Sequence, residues 1–351
     1  MKKIAIFQTN LKIGGIQKSC LNLLRNLDEQ RVSVDFYLLD STNQFNTQIP
    51  KWVNVIEMNL NVSKFAKLLP FVLAKKMYHN SIKRKIKNQK YDLAIDFDSY
   101  NIFTAISAIL VDSTKKIIWI HNDVKIKQSE EFKYRLIFNL NKSKYKYFSD
   151  FVGVSKGVID PFRESCKIAG NFHVIPNIID DNEIIEKSKI ENYFEIDPNY
   201  INLVTVGRLC HQKGIDLLLN EFATALLINP LLRLFIIGNG PDRKKLIKQS
   251  EKLNIQNSVF FLGNQSNPFN YMNKCDAFIL NSRYEGQGMV LLEAKVLGLK
   301  LIFPRHLEKY NENLFGVDDV MEEVIKLKRE PKKNCSLTLY NTEILNKIYN
   351  L

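Results

Sequence analysis

Cysteine is scarce and scattered in this chain: Cys20, Cys166, Cys210, Cys275 and Cys335 are the five in 351 residues, with no CxxC pair and no Cys/His grouping. That spacing excludes a zinc ribbon and a disulfide framework. No apolar run approaches the roughly 18–20 residues that a membrane-spanning helix needs. Met1-Lys2-Lys3 is followed only by Ile4-Ala5-Ile6-Phe7 before polar residues return, too little for the core of a signal peptide. A cytoplasmic protein is therefore expected. Repeats at solenoid spacing are absent as well, and negative charge is missing from Lys64 to Lys90, a stretch with nine basic residues.

What is present describes a globular chain: 45% hydrophobic and 25% charged residues, with length enough for two domains, each with its own core. The net charge of +13 is uneven. Residues 1–180 hold 28 basic against 16 acidic side chains, a balance of +12, and residues 181–351 hold 22 against 21, a balance of +1. Within the 64–90 stretch, Phe65, Leu68, Leu69, Phe71, Val72 and Leu73 are interleaved with the lysines. Such a segment fits an anionic bilayer surface, each basic residue contributing about 1 kcal/mol near it. A solvated helix with its apolar side in the core fits equally well. Nucleic acid also selects basic stripes, but no RNP-type aromatic motif, zinc finger or helix-turn-helix accompanies this one, so no nucleic-acid partner is expected.

Short apolar runs alternate with helical or loop segments along the whole chain. Lys3–Thr9 leads into Gly14-Gly15 and then a helix with apolar positions at Cys20, Leu23, Leu24 and Leu27. Further strand-like runs stand at 32–39, 53–58, 92–97, 116–120, 151–154 and 172–175. This alternation predicts doubly wound parallel sheets covered on both faces, where ligands bind beyond the carboxyl ends of strands. The residues after each strand are therefore the candidates. They include Gly14 and Gly15, whose backbone can approach a phosphate or sugar closely, and His121 after Ile117–Ile120. Asp96-Phe97-Asp98 has the letters of a metal-binding DxD, but it ends a strand in the first half, and it reads as a strand-end pair with no metal expected.

The organising stretch is Ser282 to Ala294. A buried strand at 276–280 precedes it and a helix from Val290 follows, so Gly286 and Gly288 occupy a strand-to-helix turn whose N–H groups favour an anion. Glu285 and Glu293 flank that turn, eight positions apart around Gly-x-Gly-x-x-x-Leu-Glu-Ala. They resemble the E-x7-E signature of the retaining, nucleotide-sugar-dependent glycosyltransferases of family 4, which have the GT-B fold. Three further stretches are similar to that family in the right order: Gly207-Arg208-Leu209 through Lys213-Gly214, Gly238-Asn239-Gly240-Pro241, and Ser258 to Gly263. Val174-Ile175-Pro176-Asn177 resembles its strand that leads into the second domain. One place departs: after Leu301–Pro304 the family has a Gly-rich loop, and here Arg305-His306-Leu307-Glu308-Lys309-Tyr310 stands instead.

The resemblance implies an α/β GT-B enzyme, two Rossmann-like doubly wound domains facing across a cleft. They would be an acceptor domain at 1–180, a polar linker at 181–200, a donor domain at 201–330, and a terminal segment at 331–351 whose helix crosses back to the first domain. It further implies that Arg208 and Lys213 neutralise the departing diphosphate without a metal or other cofactor. N–H groups near Gly286–Gly288 and Gly15 would assist. Glu293 would take the ribose hydroxyls and Glu285 the sugar, with His121 holding the sugar from the first domain. Gly207, Gly238, Gly240 and Gly263 would line the donor pocket, and Gln287 and Met289 would influence donor choice. The implied donor is a UDP-sugar carrying a hexose or N-acetylhexosamine, and the implied acceptor is a saccharide on a lipid diphosphate, used in capsule or surface polysaccharide assembly. That places the enzyme on the inner face of the cell membrane. A nucleotide-sugar epimerase of the same fold is the alternative within enzymes.

Overall fold

A computed structural model describes residues 1–12, 14–40, 48–60, 62, 65–191 and 195–351. Ile13 of the first glycine turn, Lys64 of the basic stretch and residues 192–194 of the expected linker lie outside these. The chain divides into two units, Met1–Ile178 with Asn341–Leu351, and Ile179–Tyr340.

The first unit is built on β1 (Lys2–Gln8), β2 (Val32–Leu38), β3 (Asn54–Glu57), β4 (Tyr91–Asp96), β5 (Ser113–Ile120), β6 (Asp150–Gly153) and β7 (Asn171–Val174). These pair in parallel in the order β3-β2-β1-β4-β5-β6-β7. Ile4, Ala5, Ile6 and Phe7 in the middle of this sheet are all buried, as a parallel strand covered on both faces requires. The connecting helices are α1 (Gly15–Asn26), α2 (Phe71–Lys83), α3 (Ile102–Leu110), α4 (Val124–Glu130), α5 (Phe132–Asn141) and α6 (Lys156–Cys166). In α1 the apolar positions Cys20, Leu23 and Leu24 form one buried stripe, and its N-terminus begins at Gly14 with no side-chain cap. The chain reverses its winding direction between β1 and β4, which makes the carboxyl ends of those strands the natural ligand crevice.

The second unit repeats the plan with β8 (Ile201–Val206), β9 (Leu232–Ile237), β10 (Val259–Gly263), β11 (Ala277–Ile279) and β12 (Lys300–Ile302), all parallel in the order β10-β9-β8-β11-β12. Its helices are α7 (Asp181–Ser188), α8 (Ile215–Ile228), α9 (Arg243–Lys252), α10 (Phe269–Met272), α11 (Met289–Val296) and α12 (Val320–Ile325). Ile215, Leu218, Leu219, Phe222 and Ala225 recur at helical spacing along α8 and enter one core with Leu203, Leu234, Ile236 and Ile279. Fully burying a side chain of that size stabilises by about 1.5–3 kcal/mol. The switch in winding lies between β8 and β11, so the loops after those two strands flank it.

The segment expected as a linker is helical over Asp181–Ser188. Asp180 caps it by accepting from the Glu183 N–H at 3.0 Å, and buried Ile184 anchors a helix that packs on α10 and α11. The last helix, α13 (Thr338–Tyr349), returns its residues to the first unit. There Lys2 Nζ donates to the Tyr349 carbonyl at 2.9 Å, the Asp28 N–H donates to the Tyr349 hydroxyl at 2.8 Å, and Arg31 lies over the Tyr349 ring. Among the described residues no helix is long and apolar enough to cross a membrane.

Candidate active site

In the second unit the loops after β8, β9 and β10 are stacked backbone on backbone. The Gly207 N–H donates to the Ile237 carbonyl at 2.9 Å, the Leu209 N–H to Asn239 at 3.0 Å and the Gly238 N–H to Gly263 at 2.7 Å. Two glycines of these loops combine a positive φ with no room for a Cβ. A Cβ on Gly238, at φ +133°, would stand 1.9 Å from the Gly207 carbonyl oxygen, and one on Gly214, at φ +61°, 2.0 Å from that of Asn281. Gly240 is pressed against the Leu209 carbonyl in the same way. These contacts bring the loop after β8 against the loop after β11.

The side chains meet at that junction. Lys213 Nζ lies 2.6 Å from Glu285 Oε1, and the Ser282 hydroxyl donates to the same oxygen at 2.6 Å. Glu285 is 4% exposed, so its charge is balanced locally by this lysine rather than by water. Its other oxygen, Oε2, has no hydrogen-bond partner among the described residues. Lys213 carries three N–H donors, of which Glu285 uses one. Its stem lies beside Gly207, where an added Cβ would be 3.3 Å from Lys213 Cε. Arg208 follows Gly207 just beyond the tip of β8 and is exposed.

The loop that carries Glu285 is fixed from the β8 side. The Arg283 N–H donates to the Gln212 carbonyl at 2.8 Å, and Gln212 Nε2 to the Tyr284 carbonyl at 3.1 Å. The Arg283 guanidinium grips Asp216 with both Nη atoms, at 2.8 and 2.7 Å, and this partner holds the Asp216 carboxyl below its ordinary range. The other half of the signature continues into α11, where Glu293 is also 4% exposed. Gln287 donates through Nε2 to the Tyr340 hydroxyl at 2.7 Å. The Gly288 N–H, expected to face an anion, instead donates to Asn311 Oδ1 at 2.9 Å. An anion could take that N–H only by displacing Asn311.

The first-unit candidates lie at the strand ends of their own sheet. His121 follows β5, is buried, and its Nε2 stands 2.8 Å from the Phe97 carbonyl, which makes Nε2–H the donor. Burial pushes its pKa down to about 4, against that hydrogen bond, so the ring is neutral. At the start of α1, a Cβ on Gly15 would meet open space. Asp96 and Asp98 are both buried. Thr9 donates to Asp98, while both oxygens of Asp96 lack a hydrogen-bond partner among the described residues. Burial raises the Asp96 carboxyl to about 7, partly offset by the buried Lys144 ammonium. Among the described residues no group of three or more His, Cys, Asp or Glu side chains is placed to hold a metal ion.

Sequence reasoning missed Ser282, Gln212, His306 and Asn311. Ser282 had a local signal, three residues before Glu285. The others act through backbone groups of a distant loop, and the pattern of the chain carries no mark of that.

Residues 13–183 match the family model described as Glycosyltransferase Family 4, and residues 186–305 match Glycosyl transferases group 1. A glycosyltransferase of Methanocaldococcus jannaschii is 31% identical over 261 residues, 68% of this chain and 61% of that protein. An N-acetylgalactosaminyltransferase of Campylobacter jejuni, named for an acceptor on diphospho-undecaprenol, is 32% identical over 117 residues, 33% of this chain and 31% of that protein. The chain thus spans less than two thirds of the length of either relative. The crystal structure of Anabaena HepE in complex with UDP-glucose is similar in fold, at a TM-score of 0.65 and 17% identity, covering 100% of both chains. With two family models in tandem, two parallel-sheet α/β units and Glu285 of the signature paired with Lys213, the chain belongs to the family 4 glycosyltransferases and has the GT-B fold.

Proposed function

We propose that this enzyme moves a hexose or N-acetylhexosamine from a UDP-sugar to a saccharide acceptor on a lipid diphosphate, with retention, in surface polysaccharide assembly. The observation that carries the reading is the Lys213–Glu285 pair: a cation with three donors beside a carboxylate whose contacts with Lys213 and Ser282 both fall on Oε1, on glycine loops at a sheet's switch point. Lys213 and exposed Arg208 neutralise the charge that grows on the leaving diphosphate, a task they perform without a metal or other cofactor. Oε2 of Glu285 accepts from a sugar hydroxyl or steadies the oxocarbenium-like centre, and Glu293 takes the ribose hydroxyls. His121 contributes a neutral ring to the sugar. The departing phosphate itself accepts the acceptor's proton, so Glu285 is not assigned as a nucleophile. The UDP-glucose complex of the HepE structure and the diphospho-undecaprenol in the Campylobacter enzyme's name support the donor and acceptor classes.

The membrane partner belongs to the same proposal. On α2, Val72, Leu73 and Met77 are exposed, and neighbouring α5 exposes Phe132, Leu136 and Leu140. Lys76, Lys83, Arg84, Lys133, Arg135 and Lys142 are exposed on or beside those helices. An apolar surface ringed by cations fits an anionic bilayer and a peripheral site on its cytoplasmic face.

A thermal-shift screen against UDP-, GDP- and ADP-sugars tests the donor, because a ligand that binds only the folded state raises its melting temperature. A shift with UDP-sugars is expected, and no shift with any of them overturns the reading. Incubation of donor without acceptor separates the epimerase alternative, which would yield isomerised sugar.

A further inference from the structure

We infer that residues 305–311 form a strut that positions the signature loop, with His306 and Asn311 as its positioning residues; this rests on the reading of that loop as the donor site. The strut lies where the family-model match ends, at Arg305. It is a 3-10 turn over Arg305–Tyr310, with Leu307 and Tyr310 buried beneath it. Its own base is secured by the Arg305 N–H donating to Val317 at 2.9 Å, the Val317 N–H to Phe303 at 2.8 Å and the Gly316 N–H to Glu308 Oε1 at 2.8 Å.

Two side chains reach from this strut to the signature. His306 Nε2 lies 3.0 Å from the Ser282 carbonyl, which fixes Nε2–H as the donor. Ser282 is fully buried, and its hydroxyl holds Glu285 Oε1, so His306 acts on Glu285 through one intervening residue. Buried Asn311 is oriented from both ends, Oδ1 accepting from the Gly288 N–H at 2.9 Å and Nδ2 donating to the Leu307 carbonyl at 2.9 Å. Helix α11 has Gly288 as its N-cap, a residue with no side chain to cap it. Asn311 takes the N-cap residue's own N–H from another loop, and the close approach is possible because Gly288 has no Cβ, which would stand 2.9 Å from Oδ1. The two contacts thus fix Glu285 on one side of the turn and the N-cap of α11 on the other.

The test uses the full chain and the nucleoside diphosphate, among UDP, GDP and ADP, that binds it best, together with its glucose-linked form. Calorimetry on H306A should show affinity for the glucose-linked nucleotide about fivefold to tenfold lower, the loss of one hydrogen bond's positioning, with the bare diphosphate bound within about twofold of wild type. H306Q, whose amide N–H can reach the Ser282 carbonyl, should recover the sugar-dependent part. N311D keeps the acceptor for the Gly288 N–H but loses the donor to the Leu307 carbonyl and buries a charge, so its melting temperature should fall, and the added negative charge beside the turn should lower diphosphate affinity about tenfold. If H306A changes both ligands in parallel or neither, or N311D binds diphosphate like wild type, the strut has no positioning role. A wild-type chain that binds none of the three diphosphates removes the functional reading, and the inference with it.

Discussion

Lys213 reaches Glu285 across 72 residues of sequence, with Nζ 2.6 Å from Oε1. The carboxylate holds the lysine in one orientation, so its remaining donors need little reordering to meet a diphosphate. Lys213→Ala and Arg208→Ala should each lower turnover by about 10²–10³-fold, as removal of one pre-set charge stabiliser does elsewhere, with a smaller rise in KM for the donor. Steady-state kinetics of the two variants checks this, and near-normal turnover in either one would remove that residue from the mechanism.

Stability should respond to pH in two opposed ways. Asp96, raised to about 7, keeps a proton in the folded chain that the unfolded chain has lost, so its contribution declines as pH climbs from about 4 to 7. His121, lowered to about 4, excludes a proton that the unfolded chain holds below about 6.5, so its contribution grows with pH over about 4 to 6.5. The limit for each is on the order of 1.4 kcal/mol per pH unit. Asp96→Asn should accordingly tilt stability upward with pH between about 4.5 and 6.5, and His121→Gln should tilt it downward. Urea midpoints at several pH values measure both slopes; variants parallel to wild type would show that neither group is held as described.

Alanine at Gly214 or Gly238 should be far more damaging than at Gly15. The first two would drive a Cβ to 2.0 and 1.9 Å from carbonyl oxygens at positive φ, whereas Gly15 meets open space. A loss on the order of 3 kcal/mol or more is expected for each of the crowded sites, and about 1 kcal/mol or less for Gly15→Ala. Chemical denaturation of the three variants decides the ranking.

Flotation with vesicles rich in anionic lipid should carry the enzyme at low salt and less of it at high salt. Val72→Ser combined with Phe132→Ser, which removes apolar contact at side chains 64% and 71% exposed, should weaken flotation at both salt concentrations. No association at either salt removes the membrane proposal, and filter binding to nucleic acid would then show whether the basic face serves that partner.

The sheets were legible because parallel strands buried on both faces leave unbroken apolar runs, such as Ile4–Phe7 and Leu234–Ile237, followed by glycine turns. Lys213 and Glu285 were legible for the same reason: each follows a strand tip within a short, glycine-marked motif. His306 and Asn311 were not, because their roles depend on a carbonyl and an N–H more than 20 residues away, and backbone groups look alike in any sequence. The α5 half of the exposed apolar surface also went unread. Phe132, Leu136 and Leu140 have ordinary core spacing, and only the fold reveals that Phe138 faces inward while these three face solvent.

Residues 341–351 pack on the first unit, although the whole of 179–340 lies between them and the rest of that unit. On the ribosome the second unit, continuous in sequence, can close its core while the first still waits for Ile344, Ile348 and Tyr349. The lobe begun earliest is thus sealed last, and a chain halted near residue 340 would expose the seat of that final helix to proteases and chaperones.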